Sequence, residues 1–257
     1  MKTICVLNNK GGVGKSATVF ETASALKIMG YKVLCVDLDE QSSISMQTMT
    51  KAQLDELNEN SVTDVVTRRC KIKDAIIETD HFDLLKGDNR TRVLDKMLPD
   101  ADDMLNLKDA LDSVSDQYDF CLIDEPAHLG VCAYLGVIAT ADGGGLLIPT
   151  EPDVTTIQGS INVYDFVNKI RRMFPSIKII GILKIGFKSW NFHKVATQAL
   201  NKISEEIECP VFNSQIRHCV TLREAKGQHT SVIDYSPKCN AAKDYLAFAK
   251  ELIERIW

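Results

Sequence analysis

The sequence lacks the features that mark secreted, membrane-spanning and metal-binding proteins. None of its eight cysteines stands in a C-x-x-C pair, which disfavours zinc and dithiol redox sites and predicts small buried thiols in a reducing compartment. No run of 18 apolar residues occurs, so no membrane-spanning helix is expected. Lys10 and the glycines after it interrupt the apolar start, so no secretory signal peptide is expected either.

The chain also has no excess of positive charge, because its 30 Lys and Arg residues are outnumbered by 35 Asp and Glu residues, for a formal net charge of -5. This balance disfavours a strongly basic nucleic-acid protein but leaves room for a local basic patch. The 257 residues, 45% hydrophobic and 25% charged, are enough for one domain with a substantial core. No repeat, low-complexity segment or linker divides the chain, so we expect residues 1–257 to form a single domain.

Short apolar runs alternate with helical patterns along the chain. Strands are predicted at residues 3–7, 31–36, 82–86, 118–124, 146–149, 177–185 and 211–212, and helices at 14–29, 103–117, 154–174, 192–207 and 238–256. The polar residues 41–80 predict a switch loop with helices. Continuous apolar strands separated by helices indicate an α/β fold, with a doubly wound, mostly parallel sheet and helices on both faces.

The stretch NNKGGVGKSA, residues 8–17, follows the first predicted strand and opens the first predicted helix. Such a loop offers backbone N–H groups and the positive end of a helix to the phosphates of a nucleotide. Its glycines, Gly11, Gly12 and Gly14, would take positive φ and let the backbone approach closely. Lys15 would reach the β- and γ-phosphates, and the Ser16 hydroxyl would ligate Mg²⁺. We therefore predict ATP or ADP with Mg²⁺ as cofactors. The predicted nucleotide-binding residues are Lys10, Gly11, Gly12, Val13, Gly14, Lys15, Ser16 and Ala17.

Lys10 falls outside the usual pattern G-x-x-x-x-G-K-[ST], which would also place a glycine where this chain has Asn9. A second lysine would add positive charge at the γ-phosphate, either within its own subunit or across a dimer interface, like an arginine finger supplied in trans. A solvated lysine beside the loop is the plain alternative.

Three segments together resemble the ParA/Soj/MinD family of deviant Walker A ATPases, and the resemblance is greatest to the DNA-partitioning ATPases ParA and Soj. These segments are KGGVGKS at residues 10–16, VDLDEQ at 36–41 and LIDEPA at 122–127. IPTEPD at 148–153 and the segment 223–252 extend the resemblance over nearly the whole chain. It implies a P-loop NTPase of the deviant Walker A type that hydrolyses ATP to ADP and phosphate. It also implies a homodimer that closes around ATP, in which Lys10 contacts the partner subunit's nucleotide.

The resemblance assigns roles to four residues, Lys10, Lys15, Asp39 and Asp124, which are expected to be catalytic. Lys10 and Lys15 correspond to the signature lysine and the phosphate-loop lysine of the family. Asp39 corresponds to the residue that positions or activates the attacking water, a role that suits a carboxylate near the phosphates. Asp124 resembles the Walker B acid, which with Ser16 would hold Mg²⁺. An acid that only caps a helix is the alternative for a residue at a strand end.

Neighbouring acids mark where this chain departs from the family pattern. Glu125 stands where the family usually has a small residue, and Glu40 where it often has proline. Glu125 is expected to face solvent, the alternative being that it tunes hydrolysis near Mg²⁺. Asp37 is expected to support the loop or the surroundings of Mg²⁺.

The resemblance further implies that the ATP-bound dimer binds DNA non-specifically, that the protein is cytoplasmic and nucleoid-associated, and that a ParB-like protein stimulates its hydrolysis. Basic side chains in the second half of the chain are the candidates for a DNA-binding patch, which would act on phosphates without reading bases. They are Lys184, Lys188, Lys194, Lys202, Arg217, Arg223 and Lys226, flanked by Lys169, Arg171 and Arg172. A scattered solvated surface is the alternative.

Other members of this class of ATPases act differently. A MinD-like positioning ATPase would need a basic amphipathic membrane helix at its end. The last helix carries Asp244 and Glu251 on its polar face, which predicts core packing and disfavours a membrane, although Trp257 keeps that alternative open. A nitrogenase-reductase-like protein would bridge an iron–sulfur cluster, but Cys121 lies inside a predicted strand. A dethiobiotin-synthetase-like enzyme would act on a small molecule.

Overall fold

The computed structural model describes residues 1–151, 153–187, 191–206 and 209–257. The strands are β1 (Lys2–Val6), β2 (Val33–Asp37), β3 (Ile76–Ile77), β4 (Asp83–Leu85), β5 (Phe120–Asp124), β6 (Gly145–Thr150), β7 (Ile179–Phe187) and β8 (Val211–Arg217). The helices are α1 (Lys15–Ile28), α2 (Ser43–Thr48), α3 (Lys51–Leu57), α4 (Val62–Val66), α5 (Leu94–Met97), α6 (Asn106–Asp112), α7 (Val131–Ala139), α8 (Val154–Arg171), α9 (Asn191–Glu206), α10 (Thr221–Gly227), α11 (Val232–Tyr235) and α12 (Asn240–Ile256). Short 3₁₀ helices occur at Ile72–Asp74, Asn89–Val93 and Ala101–Leu105.

All these strands form one sheet in the order β3-β4-β2-β5-β1-β6-β7-β8. Every pairing is parallel except that of the two-residue strand β3 with β4. Because parallel strands end at the same side, the residues that follow β1, β2 and β5 meet at one edge of the sheet, which is where ligands bind in open α/β sheets.

Helices cover both faces of the sheet, and alternate residues of each strand pack toward opposite sides. In β1 and just after it, Cys5 and Leu7 belong to a buried cluster with α4, α6, α7 and α8. Ile4 and Val6 belong to a second buried cluster with α1, α11 and α12. The strands are apolar without alternation because both of their faces are covered. The predicted doubly wound, mostly parallel α/β fold is therefore confirmed.

The differences between predicted and observed elements have local causes. Helix α7 was not predicted, because it is apolar and buried on nearly every side and so has no amphipathic pattern. The helix predicted at 103–117 is the shorter α6, beyond which Ser113 and Ser115 donate their hydroxyls to backbone carbonyls three residues back. The edge strand β8 extends well past the two residues predicted, with partly exposed side chains that blurred its pattern.

Helix α12 packs into the core, as its pattern predicts. Tyr245, Phe248 and Leu252 are fully buried or nearly so. Its acids hold the edge of the sheet, because Glu251 accepts backbone N–H bonds from residues 213 and 214, and Asp244 accepts one from residue 217. No helix in the described part of the chain is long and apolar enough to span a membrane.

The thiols also agree with expectation. All eight cysteines are free, and five are buried, which fits the role of small apolar residues. The buried five are Cys5, Cys35, Cys121, Cys132 and Cys209. Within the described ranges, no group of three or more His, Cys, Asp and Glu side chains is arranged to hold a metal ion.

Candidate functional site

The glycine-rich loop joins the end of β1 to the first turn of α1. Its backbone has positive φ at Gly12 (79°) and Gly14 (80°), a region that glycine enters without steric cost. Gly14 is also the N-cap of α1, and the first turn of that helix carries no acidic residue to neutralise its positive end. Positive φ was also predicted for Gly11 and is not found there, because two left-handed residues are enough to form the turn.

Asn8 anchors the start of the loop to the neighbouring strand and helix. It is fully buried, and its Nδ2 donates to the Pro149 carbonyl at 2.7 Å and to Ser160 Oγ at 3.5 Å. Only glycine fits at Gly159, because a Cβ there would lie 2.4 Å from Asn8 Oδ1. Sequence reasoning missed this anchor, since its partners are more than 140 residues away.

A cleft of about 700 Å³ opens over the loop. Its walls are the loop itself, the segments that follow β2 and β5, and one side of α10. Ser16 and Asp39 line it, so two predicted site residues from separate segments meet there. Lys15 also lines it but is only 6% exposed, and its Nζ donates to the Lys10 carbonyl at 3.2 Å. Burial lowers the pKa of Lys15, and the charges of Asp124 and Asp39 oppose that shift.

Two acids end neighbouring strands beside this lysine. Asp37 of β2 and Asp124 of β5 are paired in register, and both are fully buried. Burial raises the pKa of Asp37 to about 7, against the hydrogen bonds that it accepts from Ser45. Burial raises the pKa of Asp124 well above its usual range, and repulsion from Asp37 adds to the effect. Burial and mutual repulsion therefore disfavour the charged forms of these two acids, and a bound cation would favour them.

The two acids differ in the hydrogen bonds that their carboxyl groups accept. Asp37 Oδ2 accepts hydrogen bonds from Ser45 N at 3.0 Å and Ser45 Oγ at 2.6 Å, and its Oδ1 accepts one from Asp39 N at 3.2 Å. Both oxygens of Asp124 are buried, neither has a partner in good hydrogen-bond geometry among the described residues, and the nearby Ser16 hydroxyl lowers the pKa of Asp124 against the effect of burial. An unpartnered buried carboxylate is costly, and oxygen ligands of this kind suit Mg²⁺. Asp124, together with the Ser16 hydroxyl, thus fits a magnesium site, while Asp37 holds the loop.

Asp39 lies in the segment that connects β2 to α2. Its Oδ1 accepts a hydrogen bond from Gln41 N at 3.0 Å, and its side chain is half-buried on the wall of the cleft. Asp39 therefore lines the same cleft as the phosphate loop.

Lys10 points away from the cleft. Its Nζ donates to Asp153 at 3.0 and 2.9 Å and to Thr156 Oγ1 at 3.0 Å. Asp153 is the N-cap of α8, and both partners of the ion pair are about one-third exposed. In the single chain, the second lysine thus forms a partly exposed ion pair with the start of α8 and does not line the cleft.

Glu125 is a correction, because it was expected to face solvent and is fully buried. Its Oε1 lies 3.6 Å from the Cys5 thiol, which donates to it. Gly136 on α7 makes the space for it, since a Cβ there would collide with the carboxylate oxygen. Burial raises the pKa of Glu125 well above its usual range. The extra acid is therefore part of the interior beneath the site.

The predicted basic patch is not one free surface. Arg217 pairs with Asp244 at 2.6 Å. Burial lowers the pKa of the half-buried Lys184. Arg223 and Lys226 lie on the wall of the cleft. Lys188 and the side chain of Lys194 lie outside the described residues. Exposed basic side chains remain on α8 at Lys169, just after α8 at Arg172, and on α9 at Lys202.

Residues 1–179 match the family described as an AAA domain. This match covers more than half of the chain, which therefore belongs to that family of P-loop ATPases and, within it, to the ParA/Soj/MinD group. The predicted family and its ATPase class are thus confirmed.

Similar proteins are found among partitioning ATPases. The chain is 26% identical to the chromosome-partitioning ATPase Soj of Treponema pallidum, over 99% of this chain and 98% of that protein. It is 28% identical to a virulence-plasmid ParA family protein of Chlamydia psittaci, over 100% of this chain and 96% of that protein. Among solved structures, cobyrinic acid a,c-diamide synthase from Mycobacterium smegmatis with bound ADP and magnesium is 25% identical with a TM-score of 0.83, over 99% of this chain and 94% of that one.

Proposed function

We propose that this protein is a dimerising ATPase of the partitioning type, which binds DNA non-specifically when it holds ATP. Its task would be to segregate a plasmid, a chromosome origin or a mobile element. The observation that carries the proposal is the second lysine, Lys10, held beside a complete phosphate loop by an ion pair on the protein surface. The similarity to Soj and to a plasmid ParA protein supports the same class.

ATP or ADP with Mg²⁺ are the cofactors of this class, and a similar structure contains ADP and magnesium. In this chain, the backbone of residues 11–16 and the Lys15 ammonium would bind the phosphates. Ser16 and Asp124 would hold Mg²⁺, which would neutralise phosphate charge when bound. Asp39 would orient the attacking water, and Asp37 would keep the segment around Asp39 in place through Ser45.

Lys10 would exchange partners when two subunits meet across ATP. In one chain its ammonium is bound to Asp153, in an ion pair that is one-third exposed and therefore weak. The γ-phosphate of the partner's nucleotide offers more negative charge than one carboxylate, so the exchange would favour the ATP-bound dimer over the ADP-bound one. ATP would thus switch assembly, and hydrolysis would reverse it.

The DNA surface would be created by the dimer rather than by one chain. The exposed cations of α8 and α9 in one subunit would be joined by those of the other, which suits salt-sensitive binding to phosphates. A ParB-like partner would stimulate the slow hydrolysis, and the protein would act in the cytoplasm on the nucleoid.

Binding to non-specific duplex DNA, measured with ADP and then with ATP at two salt concentrations, tests this function. We expect binding only with ATP, and a weaker complex at the higher salt concentration. The triple variant Lys169→Ala/Arg172→Ala/Lys202→Ala should lose this binding while it still binds ATP. DNA binding that ignores the nucleotide would contradict the proposal.

Two other experimental outcomes would favour a different function. Recruitment to anionic liposomes with ATP, without DNA binding, would favour a MinD-like positioning ATPase. Trp257 is the feature that supports this alternative, because it is 72% exposed at the end of α12. ATP turnover that depends on a small carboxylic acid would instead point to a synthase.

A further inference from the structure

The cleft has a basic wall that the phosphate-loop motif does not include. Helix α10 places Arg223 and Lys226 on the cleft that Asp39 also lines. The two residues are three positions apart and so lie on the same side of the helix. Ser16 and Ala17, in the first turn of α1, line the same cleft. The pair therefore lies beside the end of α1 at which phosphates bind.

Both side chains are available to a ligand. Among the described residues, neither Arg223 nor Lys226 takes part in an ion pair, and both are exposed. Two other cations near the sheet edge already have acidic partners, since Lys10 is bound to Asp153 and Arg92 lies 3.9 Å from Glu40. Arg223 and Lys226 are thus exposed cations at the cleft that form no ion pair among the described residues.

The backbone beneath the pair is fixed. Ala225, between the two basic residues, is fully buried in the core cluster that includes α1 and α12. Its carbonyl accepts backbone N–H bonds from residues 228 and 230. A few residues on, Val232 N donates to the buried Glu21 of α1 at 2.9 Å. Two flexible side chains on a rigid base can reach a ligand without a change in the backbone.

The acidic residues at and beneath the cleft are the reason why a bound nucleotide would need further cations. A nucleotide brings several negative charges to a site that already contains Asp39 and the buried Asp124. Lys15 and Mg²⁺ offset part of this charge, and further cations within a few ångströms would offset more. DNA is a poorer fit for the pair, because its backbone would have to enter the cleft beside the loop.

We propose that Arg223 and Lys226 form a basic pair that binds the phosphates shared by ADP and ATP. This inference rests on the proposed function, since it assigns new ligands to the same nucleotide site. Arg223 would bind two phosphate oxygens through its planar guanidinium, and Lys226 would act as a point charge. Because both nucleotides carry these phosphates, the pair would strengthen their binding equally and leave the hydrolysis step unchanged.

The test compares two double variants of equal charge. Arg223→Ala/Lys226→Ala removes the basic pair, and Lys169→Ala/Arg172→Ala removes a lysine and an arginine at the same spacing from the end of α8 and its C-cap. Dissociation constants for ADP and ATP with excess Mg²⁺ are measured by titration calorimetry without DNA, at two salt concentrations. We expect the first variant to bind both nucleotides at least roughly tenfold more weakly, as loss of one charge-assisted contact predicts. The control should bind them like the unmodified protein.

The remaining readouts separate this inference from the proposed function. The KM for ATP of the Arg223→Ala/Lys226→Ala variant should rise in parallel with its dissociation constant for ATP, because the pair acts in binding. Both variants should keep the melting temperature of the unmodified protein. Unchanged nucleotide affinity in the Arg223→Ala/Lys226→Ala variant, with or without a loss of DNA binding, would overturn the inference alone. An unmodified protein that binds neither nucleotide would overturn the proposed function as well.

Discussion

The two edges of the sheet carry clefts of similar size but of very different character. At the carboxyl edge, the cleft over the phosphate loop measures about 700 Å³ and is lined by the buried Lys15, while Asp124 and Glu125 are buried at the end of β5 and just after it. At the amino edge, a groove of about 700 Å³ is lined by Lys2, Lys178 and other residues near the starts of β1 and β7. Its ionisable side chains are mostly partly or fully exposed. Volume does not distinguish the two clefts, whereas burial of charge does.

Burial of charge points to function because it costs free energy that a fold does not bear without a reason. The acids at the carboxyl edge repel one another in the free protein, and a bound cation would relieve this repulsion. The ionisable side chains of the amino edge are in contact with solvent and bear no such cost. The comparison predicts that removing a buried acid at the carboxyl edge lowers ATP turnover and raises stability. Substitutions at the amino edge are expected to change neither quantity by much.

The largest effect is expected from Asp124→Asn. Removing the carboxylate should lower Mg²⁺-dependent ATP turnover by at least roughly a hundredfold, because a metal ligand is lost. The same substitution should raise the melting temperature of the nucleotide-free protein, because it removes an unpartnered buried acid whose pKa is raised by burial. Turnover and thermal unfolding measured on one preparation would check both signs. A variant that is both active and less stable would contradict the assignment of Asp124.

Asp39→Ala comes next. We expect turnover to fall by roughly a hundredfold, since loss of a general base or water-positioning group costs that much. ATP binding should persist, so the ATP-bound dimer should accumulate and be visible by light scattering. Turnover equal to that of the unmodified protein would remove Asp39 from the mechanism.

Glu21 gives a pH-dependent effect of intermediate size away from the nucleotide. Burial raises its pKa to about 8, against the hydrogen bond from Val232 N. The folded chain therefore keeps a proton that the unfolded chain loses above pH 4.5, so this group's contribution to stability falls as the pH rises from 4.5 to 8. The slope would approach about 1.4 kcal/mol per pH unit for one proton.

Glu21→Gln is the matched variant, because the amide can still accept the Val232 N–H bond and cannot ionise. Urea unfolding between pH 5 and 8 should show a flatter dependence of the unfolding free energy in this variant. Identical pH slopes in the two proteins would show that Glu21 is ionised in the fold.

The smallest effect is expected at the amino edge. Asp142 pairs with Lys108 at 2.6 Å, but its side chain is 69% exposed. Asp142→Asn should change the unfolding free energy by less than about 1 kcal/mol, as for other exposed ion pairs, and should leave ATP turnover unchanged. A large effect on either quantity would end the distinction between the two edges.

Local patterns predicted the parts of the site that are local. The loop, its lysine and the acids at strand ends follow from residues adjacent in sequence, and the structure places them at one edge. The contact between Lys10 and Asp153 spans 143 residues, and the burial of Glu125 depends on Gly136 and Cys5. Such features arise only when distant segments pack together. The location of α10 on the cleft is of the same kind, so the sequence alone does not distinguish its cations from a DNA-binding patch.

The central claim is that ATP assembles two chains through Lys10, and the molar mass in solution tests it most directly. Light scattering of the unmodified protein with Mg²⁺ and ADP, and then with Mg²⁺ and ATP, should show a monomer and a dimer. Lys10→Ala should remain a monomer with ATP while keeping its melting temperature, and Lys169→Ala should dimerise normally. A Lys10→Ala protein that dimerises with ATP as readily as the unmodified chain would contradict the account.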